Sequence, residues 1–333
     1  MKNKLAIDLG SAYVKIYKLG ADVVLYEPTL IAIENGNYRK PFAVGYEAEK
    51  LIGKTPENVE IIHPIVNGDV VSEKALCSLI TALVKKVKSS NFELNNEVLI
   101  SVQCGCDREV IKKVENALNG ANIFNISYAE VPLLSLIGAD APLTDTSAVA
   151  VIDFGAEQTT ICVLTLSGVI SGVSMAYGGN KLNEILISHI EKEFNLSISN
   201  SQAEKLKIEI ASLANEDDTK LVISGRDVFT GKTRSMQILA SNVALPVKTF
   251  IDKIIEITNM IFKKLPQEAL LEVKKNGIYI TGGGSNLYGL ADYLNLALDQ
   301  EIIKTEESNI ACIIGGGKVI ENKALLNKIK LKI

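Results

Sequence analysis

Near the N-terminus, Leu5-Ala6-Ile7-Asp8-Leu9-Gly10-Ser11 is an apolar strand that ends in an aspartate and a glycine. The pattern returns 145 residues later in Val151-Ile152-Asp153-Phe154-Gly155-Ala156. Each copy leads into a second β-rich run, at 14–17 and at 159–164. Small residues at such bends let backbone N–H groups approach a phosphate. The repetition predicts two similar halves, each with an anion-binding loop.

A third glycine loop supports this interpretation. Ile278-Tyr279-Ile280-Thr281 is an apolar strand, and Gly282-Gly283-Gly284-Ser285 follows it directly. The spacing predicts a helix over 287–298, and glycine loops at helix starts bind anions through exposed N–H groups and the helix dipole. Three such loops in one chain indicate a nucleotide site more strongly than any one of them.

Composition narrows the class of protein. The chain has 333 residues, 47% of them hydrophobic, and a net charge of −4, which excludes general disorder. The 35 basic residues are outnumbered by 39 acidic ones, so we expect no nucleic-acid partner. Five cysteines, an odd number, favour a reduced cytoplasmic protein. The N-terminus shows no signal-peptide pattern, and no apolar run approaches the length of a spanning helix.

A metal site built on cysteine and histidine is not expected. The chain has two histidines and no CxxC pair. The nearest ligand cluster, Cys104-Gly105-Cys106, leaves half a zinc tetrahedron empty. The sequence favours small buried residues at a strand end there.

The three loops predict a nucleotide with a magnesium ion. Asp8 and Asp153, facing each other across a cleft, would hold a hydrated Mg²⁺, which prefers oxygen ligands and keeps several waters. Gly10, Ser11 and Gly155 would contact the β- and γ-phosphates. The 282–284 loop, without side chains, would lie against the base and the α-phosphate.

At this point the sequence resembles the actin, sugar-kinase and DnaK-type chaperone superfamily, and within it the MreB-type bacterial actins. The likeness covers nearly the whole chain. The motifs that carry it are Asp8-Leu9-Gly10-Ser11, Glu27-Pro28-Thr29-Leu30-Ile31-Ala32, Ala43-Val44-Gly45-Tyr46-Glu47-Ala48, Gly53-Lys54-Thr55-Pro56-Glu57-Asn58 with His63-Pro64, Asp153 to Thr160, the helix at 203–210, Gly225-Arg226-Asp227, Thr281-Gly282-Gly283-Gly284, and Cys312-Ile313-Ile314-Gly315-Gly316-Gly317-Lys318.

The resemblance implies an α/β actin-like fold of two similar halves. Each half would be a mixed sheet flanked by helices, with the nucleotide in the central cleft. Residues 1–142 would form the first half, with a small subdomain at about 32–63. Residues 143–315 would form the second, with a small subdomain at about 181–240, and 316–333 a helix that returns to the first half.

The resemblance also implies the cofactors and the site. ATP and Mg²⁺ would bind, the metal through water on Asp8 and Asp153. The implied nucleotide-binding residues are Asp8, Gly10, Ser11, Ala12, Tyr13, Lys15, Asp153, Gly155, Ala156, Glu157, Gln158, Glu204, Lys207, Gly282, Gly283, Gly284, Ser285 and Asn286.

The catalytic position departs from the family pattern. MreB proteins usually carry Glu-Glu-Pro, whose second glutamate positions the attacking water. This chain has Glu130-Val131-Pro132, so Val131 takes that place. Valine neither accepts a proton nor orients water, and losing such a group typically costs ~10²–10⁴ in rate. One interpretation is that Glu130 replaces the missing glutamate by a shift of one residue. The other is that Glu130 is a solvated side chain, because adjacent residues on a helix point about 100° apart.

The second loop departs as well. The family's Gly-Gly-Gly-Thr-Thr is replaced by Gly155-Ala156-Glu157-Gln158-Thr159. Glu157 places a negative charge where the backbone would meet the phosphate. The repulsion between two like charges costs about 4 kcal/mol at a separation of ~4 Å and an effective dielectric constant of ~20. Gln158 would instead orient water, as glutamine does in some nucleotide hydrolases. We therefore expect ATP binding with at most weak ATPase, and Glu130 and Gln158 as candidate catalytic residues.

Lys15 has two interpretations. It lies seven residues after Asp8, the spacing at which eukaryotic actin and the PilM-like proteins carry a lysine near the phosphates. Alternatively, it points outward from its strand.

Two segments bear on membrane contact. Asn91-Phe92-Glu93-Leu94, after the basic residues Lys85, Lys86 and Lys88, is either a membrane-inserting loop or an ordinary connection. Two apolar side chains, each contributing ~1.5–3 kcal/mol when buried, would attach one copy of the protein only weakly to a membrane. Many copies in one filament would together bind the membrane more tightly. The basic tail, 323–333, either packs on the first half or touches the membrane.

The function that the resemblance implies is a cytoplasmic filament at the inner face of the membrane that directs cell-wall synthesis and rod shape. Its partners would be further copies of itself, the membrane surface weakly, and cell-wall synthesis or shape proteins. The alternative is a non-filamentous ATP-binding adaptor of the FtsA or PilM kind, which Lys15 and the altered second loop favour. A small-molecule kinase would need a catalytic carboxylate facing an acceptor pocket, and the sequence shows none.

Overall fold

A computed structural model describes residues 4–87, 97–214 and 217–332. The strands in chain order are β1 Lys4–Leu9, β2 Tyr13–Lys18, β3 Asp22–Pro28, β4 Ile31–Glu34, β5 Ala43–Val44, β6 Val59–Ile62, β7 Ile65–Val66, β8 Asp69–Val70, β9 Glu97–Val102, β10 Ile126–Glu130, β11 Val149–Phe154, β12 Thr159–Thr165, β13 Gly168–Met175, β14 Leu196–Ser197, β15 Lys220–Asp227, β16 Thr233–Leu239, β17 Ile278–Thr281 and β18 Ile302–Ile303. The helices are α1 Tyr46–Glu49, α2 Glu73–Val87, α3 Arg108–Gly120, α4 Val131–Gly138, α5 Gly179–Phe194, α6 Asn200–Ile210, α7 Ala240–Phe262, α8 Gln267–Asn276, α9 Leu290–Leu298, α10 Ala311–Glu321 and α11 Lys323–Ile329. No helix within these ranges is long and apolar enough to cross a membrane.

The chain divides into two compact units. Unit 1 comprises 1–146, 165–168 and 310–333, and unit 2 comprises 147–164 and 169–309.

Unit 1 is built on a five-stranded mixed sheet of order β10-β9-β1-β2-β3. Strand β1 runs antiparallel to β2 and parallel to β9. A three-stranded sheet, β5-β4-β6, holds its own small core of Leu30, Ala32, Ala48 and Val59. The tail helix α11 belongs to this unit, where Ile329 is buried and the Leu331 N–H donates to the Tyr128 carbonyl at 2.8 Å.

Unit 2 repeats the plan with a five-stranded sheet of order β13-β12-β11-β17-β18. Strand β11 runs antiparallel to β12 and parallel to β17, as β1 does with β2 and β9. Strands β14, β15 and β16 form a separate sheet. The central strands of both units are apolar and almost entirely buried, as expected for strands covered on both faces.

The helix predicted over 287–298 begins later than expected. A short 3₁₀ turn over Gly283–Asn286 follows the third glycine loop, and α9 starts only at Leu290. Gly289 has a left-handed backbone (φ 73°), which interrupts the chain before the helix. The loop amides are therefore presented by a tight turn and not by an α-helix N-terminus.

Helices α4 and α10 of unit 1 cross at a glycine contact. A Cβ atom on Gly315 would lie 1.8 Å from the Leu134 carbonyl oxygen, and one on Gly138 would lie 1.9 Å from the Ala311 carbonyl oxygen. Only glycine allows the two backbones to approach this closely. The three consecutive glycines of α10 thus have a packing role.

We expect Gly315→Ala to lower the free energy of unfolding by about 3 kcal/mol, since the methyl group must displace helix backbone. Urea unfolding measures the change. The matched control is Gly283→Ala, because no atom of the described residues, apart from the chain neighbours of Gly283, lies within 4 Å of a Cβ atom there. Equal stability of Gly315→Ala and wild type would contradict the helix contact.

Candidate functional site

The first loop connects β1 to β2 and has its backbone fixed by one internal bond. The Gly10 N–H donates to the Tyr13 carbonyl at 3.1 Å. A Cβ atom on Gly10 would lie 2.9 Å from that same oxygen, so the bend requires glycine. Within the described chain, the structure gives the amides of Ser11 and Ala12 no protein acceptor. These two N–H groups are available to an anion.

Thr29, a residue that the sequence analysis did not single out for the site, holds this loop from behind. Its side chain is fully buried. Its Oγ1 donates to the Gly10 carbonyl at 2.6 Å, and its N–H donates to the Ala12 carbonyl at 2.8 Å. Two loop carbonyls are thereby held by Thr29 while the intervening amides stay unpaired. In the sequence, Thr29 stands out only as part of the Glu27-Pro28-Thr29 motif. The spacing of the neighbouring residues does not indicate a contact between Thr29 and the first loop.

The second loop, between β11 and β12, has the same bend. The Gly155 N–H donates to the Gln158 carbonyl at 2.9 Å, which a Cβ atom on Gly155 would approach to 2.7 Å. The carbonyls of this loop are held by the N-terminus of α5, as Thr29 holds those of the first loop. The Gly179 N–H donates to the Gly155 carbonyl at 3.0 Å, and the Asn180 N–H donates to the Ala156 carbonyl at 2.7 Å. The Ala156 amide has no acceptor among the described residues. The two Asp-x-Gly motifs thus form loops with the same backbone bend.

Glu157 and Gln158 lie half-buried in the second loop. Asp153, at the end of β11, accepts a hydrogen bond from Thr281 Oγ1 at 2.6 Å. The second and third loops of unit 2 are therefore adjacent, because Thr281 is the residue before the third loop.

The third loop packs directly on the second. Gly282 has φ 79°, and a Cβ atom there would lie 2.4 Å from the Phe154 carbonyl oxygen. The amides of Gly283 and Gly284 have no protein acceptor within the described ranges. Ser285 turns inward: it is buried, and its Oγ donates to the Gly282 carbonyl at 2.7 Å. The structure thus presents backbone N–H groups at this loop and holds the Ser285 hydroxyl inside it.

Lys15 points inward, so the outward interpretation was wrong. Asp8 and Lys15 are directly opposite in the β1–β2 ladder, and Lys15 Nζ lies 2.8 Å from Asp8 Oδ2. The side chains are 13% and 8% exposed, respectively. Asp8 Oδ1 accepts from Ser101 Oγ at 2.7 Å and from Cys312 Sγ at 3.6 Å. The first loop therefore starts from a buried ion pair.

The ion pair shifts both pKa values toward the charged forms. Burial alone would raise the pKa of Asp8, but the Lys15 charge and the hydrogen bonds from Lys15, Ser101 and Cys312 lower it below its ordinary value. Burial would likewise lower the pKa of Lys15, and the charge and hydrogen bond of Asp8 raise it instead.

The hydrogen bonds around Asp8 do not fit direct ligation of Mg²⁺ by this carboxylate. Both carboxylate oxygens already accept hydrogen bonds, and the nearest charge is an ammonium that neutralises the carboxylate. No group of three or more His, Cys, Asp and Glu side chains in the described ranges is arranged to hold a metal. The water-mediated contact of Asp8 and Asp153 with Mg²⁺ that the sequence predicts stays a prediction.

Glu130 and Val131 do not share a helix, contrary to the premise of the sequence analysis. Glu130 ends β10, and Val131 begins α4, because Pro132 suits the first turn of a helix. Glu130 Oε1 accepts from the Gly105 N–H at 2.9 Å. Glu130 is thus engaged in holding the turn at 103–106 and is not simply solvated. Val131 is buried and offers no proton acceptor.

Cys104 and Cys106 are half-buried in this turn, beyond the end of β9, and not fully buried as expected. Burial, followed by the negative charge of Glu130, raises the pKa of the Cys106 thiol above its usual value.

Glu204 and Lys207 lie on one face of α6, beside the N-terminus of α5. Lys207 Nζ donates to Glu204 Oε2 at 2.6 Å and to the Gly179 carbonyl at 3.2 Å. Since the Gly179 N–H holds the second loop, the pair predicted for the nucleotide lies close to that loop within unit 2.

Comparison with known proteins gives a consistent result. The profile of the MreB/Mbl protein family matches residues 2–328. The cell shape-determining protein MreB of Escherichia coli (strain K12) is 26% identical over 324 residues, covering 96% of this chain and 93% of the relative. The cell shape-determining protein Mbl of Bacillus subtilis (strain 168) is 26% identical over 328 residues, covering 98% of both.

Solved structures share the fold. MreB 5 of Spiroplasma citri bound to AMPPNP superposes with a TM-score of 0.91 at 23% identity, covering 98% of both chains. The MamK double helical filament gives a TM-score of 0.80 at 19% identity, covering 97% of this chain and 99% of that one. The predicted actin-like fold, with mixed sheets flanked by helices, is confirmed.

Proposed function

The chain belongs to the MreB/Mbl protein family, and from that premise we propose that it is an ATP-binding cytoskeletal protein whose filaments direct cell-wall synthesis and rod shape. The names of the relatives from Escherichia coli and Bacillus subtilis support the cell-shape role. The MamK filament supports self-assembly. The AMPPNP and ADP complexes of the Spiroplasma citri protein support nucleotide binding.

One observation carries the nucleotide part of the proposal. Three loops at strand ends each present backbone amides without a protein acceptor in the described chain, at Ser11, Ala12, Ala156, Gly283 and Gly284. Unpaired amides around glycines bind the oxygens of phosphate. In our proposal, the first two loops bind the terminal phosphates and the third lies against the base and the α-phosphate.

Hydrolysis is expected to be weak. The water-positioning place is taken by Val131, and Glu130 is held by the Gly105 amide. Gln158 remains our candidate for orienting water. Binding of ATP therefore serves assembly, and its turnover is slow.

We place the filament in the cytoplasm, at the inner face of the cell membrane, with cell-wall synthesis or shape proteins as partners. The candidate contact loop 91–94 and Lys88 lie outside the described residues. In the tail, Ile329 is buried in unit 1, and Lys328 pairs with Asp145 of the same unit. The loop is thus the segment that we propose for weak membrane contact.

Titration calorimetry with ATP, GTP and adenosine tests the nucleotide proposal. Because the loops bind phosphate, ATP should bind at least about a hundredfold more tightly than adenosine. Two hydrogen bonds from loop amides to a charged phosphate are sufficient for a difference of this size. Equal affinities for ATP and adenosine would contradict the proposal. The GTP titration decides which base is preferred.

Replacing Thr29 by valine should weaken ATP binding about tenfold and leave adenosine binding unchanged. The variant keeps the shape but leaves the Gly10 carbonyl without its hydroxyl partner, worth about 1–3 kcal/mol when buried. Thr55→Val is the matched control, since Thr55 is an exposed threonine whose Oγ1 bonds the Leu51 carbonyl. A loss of adenosine affinity equal to that of ATP would refute a phosphate-specific role for Thr29.

A further inference from the structure

Cys104 and Cys106 are a pair of thiols that the proposed function does not use. Both are half-buried, and all five cysteines of the chain are thiols in the structure. Two steps along a chain span at most about 7 Å, and a turn shortens this distance. The Cα atoms of the two residues therefore lie within the separation of about 4–7 Å that a disulfide bridges.

The turn that carries the pair is closed by two hydrogen bonds. The Cys106 N–H donates to the Gln103 carbonyl at 3.2 Å, and the Gly105 N–H donates to Glu130 Oε1 at 2.9 Å. Gly105 has a left-handed backbone, with φ 65°, and no atom of the described residues apart from its chain neighbours lies within 4 Å of a Cβ atom there. A bond across Gly105 between the two sulfurs therefore meets no other side chain at the centre of the turn.

The surroundings of Cys106 determine the order in which the thiols react. Cys106 packs against the apolar core of unit 1 and lines a cavity of about 30 Å³ together with Leu9 and Ser11. Burial raises the pKa of the Cys106 thiol, and the negative charges near it, first that of Glu130 and last that of Cys104, raise it further. Since the thiolate is the form that attacks a disulfide, this favours Cys104 as the thiol that reacts first.

The turn is connected to the first loop within unit 1. Strand β9, which leads into the turn, carries Ser101, whose Oγ accepts from the Leu9 N–H at 3.3 Å. Cys106 forms part of the wall of the cavity that Leu9 and Ser11 also line. A bond between the two sulfurs draws the Cys106 side chain toward Cys104 and so enlarges the cavity. Because an enlarged cavity costs stability, we expect the first loop to be held less firmly.

We propose that Cys104 and Cys106 are a reversible modification site, at which a small-molecule disulfide oxidises them to an intramolecular disulfide that weakens nucleotide binding by the first loop. The effect on binding rests on the proposed nucleotide binding, whereas the modification itself does not.

The reaction is a thiol–disulfide exchange in two steps. The Cys104 thiolate forms a bond to one sulfur of the small disulfide, whose S–S bond breaks and whose other sulfur leaves as a thiolate. Cys106 then loses its proton and attacks Cys104 Sγ, which releases the second small thiol. In total, the two protein thiols lose two electrons and two protons, and the small disulfide takes them up to become two thiols.

The test treats the full chain with glutathione disulfide, blocks the remaining thiols with N-ethylmaleimide in denaturant, and measures intact and peptide masses. In wild type we expect maleimide only on Cys77, Cys162 and Cys312, with no glutathione retained. Dithiothreitol should restore labelling of Cys104 and Cys106. The Cys106→Ser variant should stop at a mixed disulfide that carries one glutathione on Cys104. The matched control is Cys77→Ser, which removes another half-buried thiol and should form the 104–106 disulfide as wild type does.

Dissociation constants for ATP are measured on the same samples. Oxidised wild type should bind ATP about fivefold more weakly than the reduced protein, a loss of the size that one small cavity causes. Dithiothreitol should restore the affinity, and glutathione disulfide should leave the affinity of Cys104→Ser unchanged.

The outcomes separate the modification from the function. If wild type keeps glutathione, forms disulfides between copies, or still labels at Cys104 and Cys106 after treatment, the modification site is overturned. A complete 104–106 disulfide with unchanged ATP affinity would overturn its effect on the first loop. If the reduced chain binds no ATP, the proposed function fails, while the masses still decide whether the disulfide forms.

Discussion

Replacing Val131 by glutamate is expected to raise the rate of ATP hydrolysis by about 10²-fold or more, the usual contribution of a positioned general base. Val131 is the first residue of α4, so its substitution places a carboxylate at a helix N-terminus, where negative charge is favourable. Phosphate release under saturating ATP measures the change. The wild-type chain should release phosphate slowly although it binds the nucleotide.

Two controls belong to this experiment. Val131→Leu keeps the position apolar and should leave the rate at the wild-type level. Glu130→Gln should also leave the rate unchanged, because we expect Glu130 to hold the Gly105 amide and not to activate water. A folded Val131→Glu protein that binds ATP but hydrolyses it no faster would show that position 131 does not face the attacking water.

Removing the Lys15 charge is expected to lower the free energy of unfolding by about 3–5 kcal/mol, the usual cost of leaving a buried charge without its partner. In Lys15→Met, Asp8 keeps its burial but loses the ammonium at 2.8 Å. Urea unfolding of wild type, Lys15→Met, Asp8→Asn and the double variant gives the coupling between the two side chains. The double variant should be more stable than Lys15→Met alone. If the free energy of unfolding of Lys15→Met lies within about 1 kcal/mol of the wild-type value, the substitution behaves like one on the surface, and the buried ion pair is contradicted.

The pH dependence of this effect has a definite sign. In wild type the pKa of Asp8 is depressed, so the pair stabilises the fold fully above the ordinary value of 3.8 and less as the pH falls through the lower folded value. In Lys15→Met, burial raises the pKa of Asp8, and protonation then relieves the buried charge. The difference in stability between the two proteins should therefore be largest near neutral pH and shrink in acid.

The sequence was sufficient for those parts of the site that local pattern determines. The two Asp-x-Gly loops follow from an apolar strand that ends in aspartate and glycine, and their bends in the structure are alike at Gly10 and Gly155. Short-range steric limits dictate this geometry, since no side chain fits beside the carbonyl three residues later.

The parts that were missed depend on contacts between distant residues. Thr29 reaches the first loop from 19 residues away, and Ser101 and Cys312 reach Asp8 from 93 and 304 residues away. No periodicity in a single sequence reports such pairings.

Glu130 shows a second kind of limit. The choice between a catalytic shift and a solvated side chain assumed a helix at both 130 and 131. The structure instead begins the helix at Val131 and gives Glu130 a backbone partner, the Gly105 amide. Element boundaries are set by competition between strand and helix at a few residues, which a pattern alone does not resolve.

Sedimentation at high speed with ATP, run beside phosphate release, tests whether this chain assembles into nucleotide-dependent filaments. We expect the wild-type chain to pellet with ATP and equally with AMPPNP, to stay in solution without nucleotide, and to release phosphate slowly. A chain that binds ATP yet stays in the supernatant, with or without lipid vesicles, would contradict filament assembly. That result would establish the non-filamentous ATP-binding adaptor as the better account.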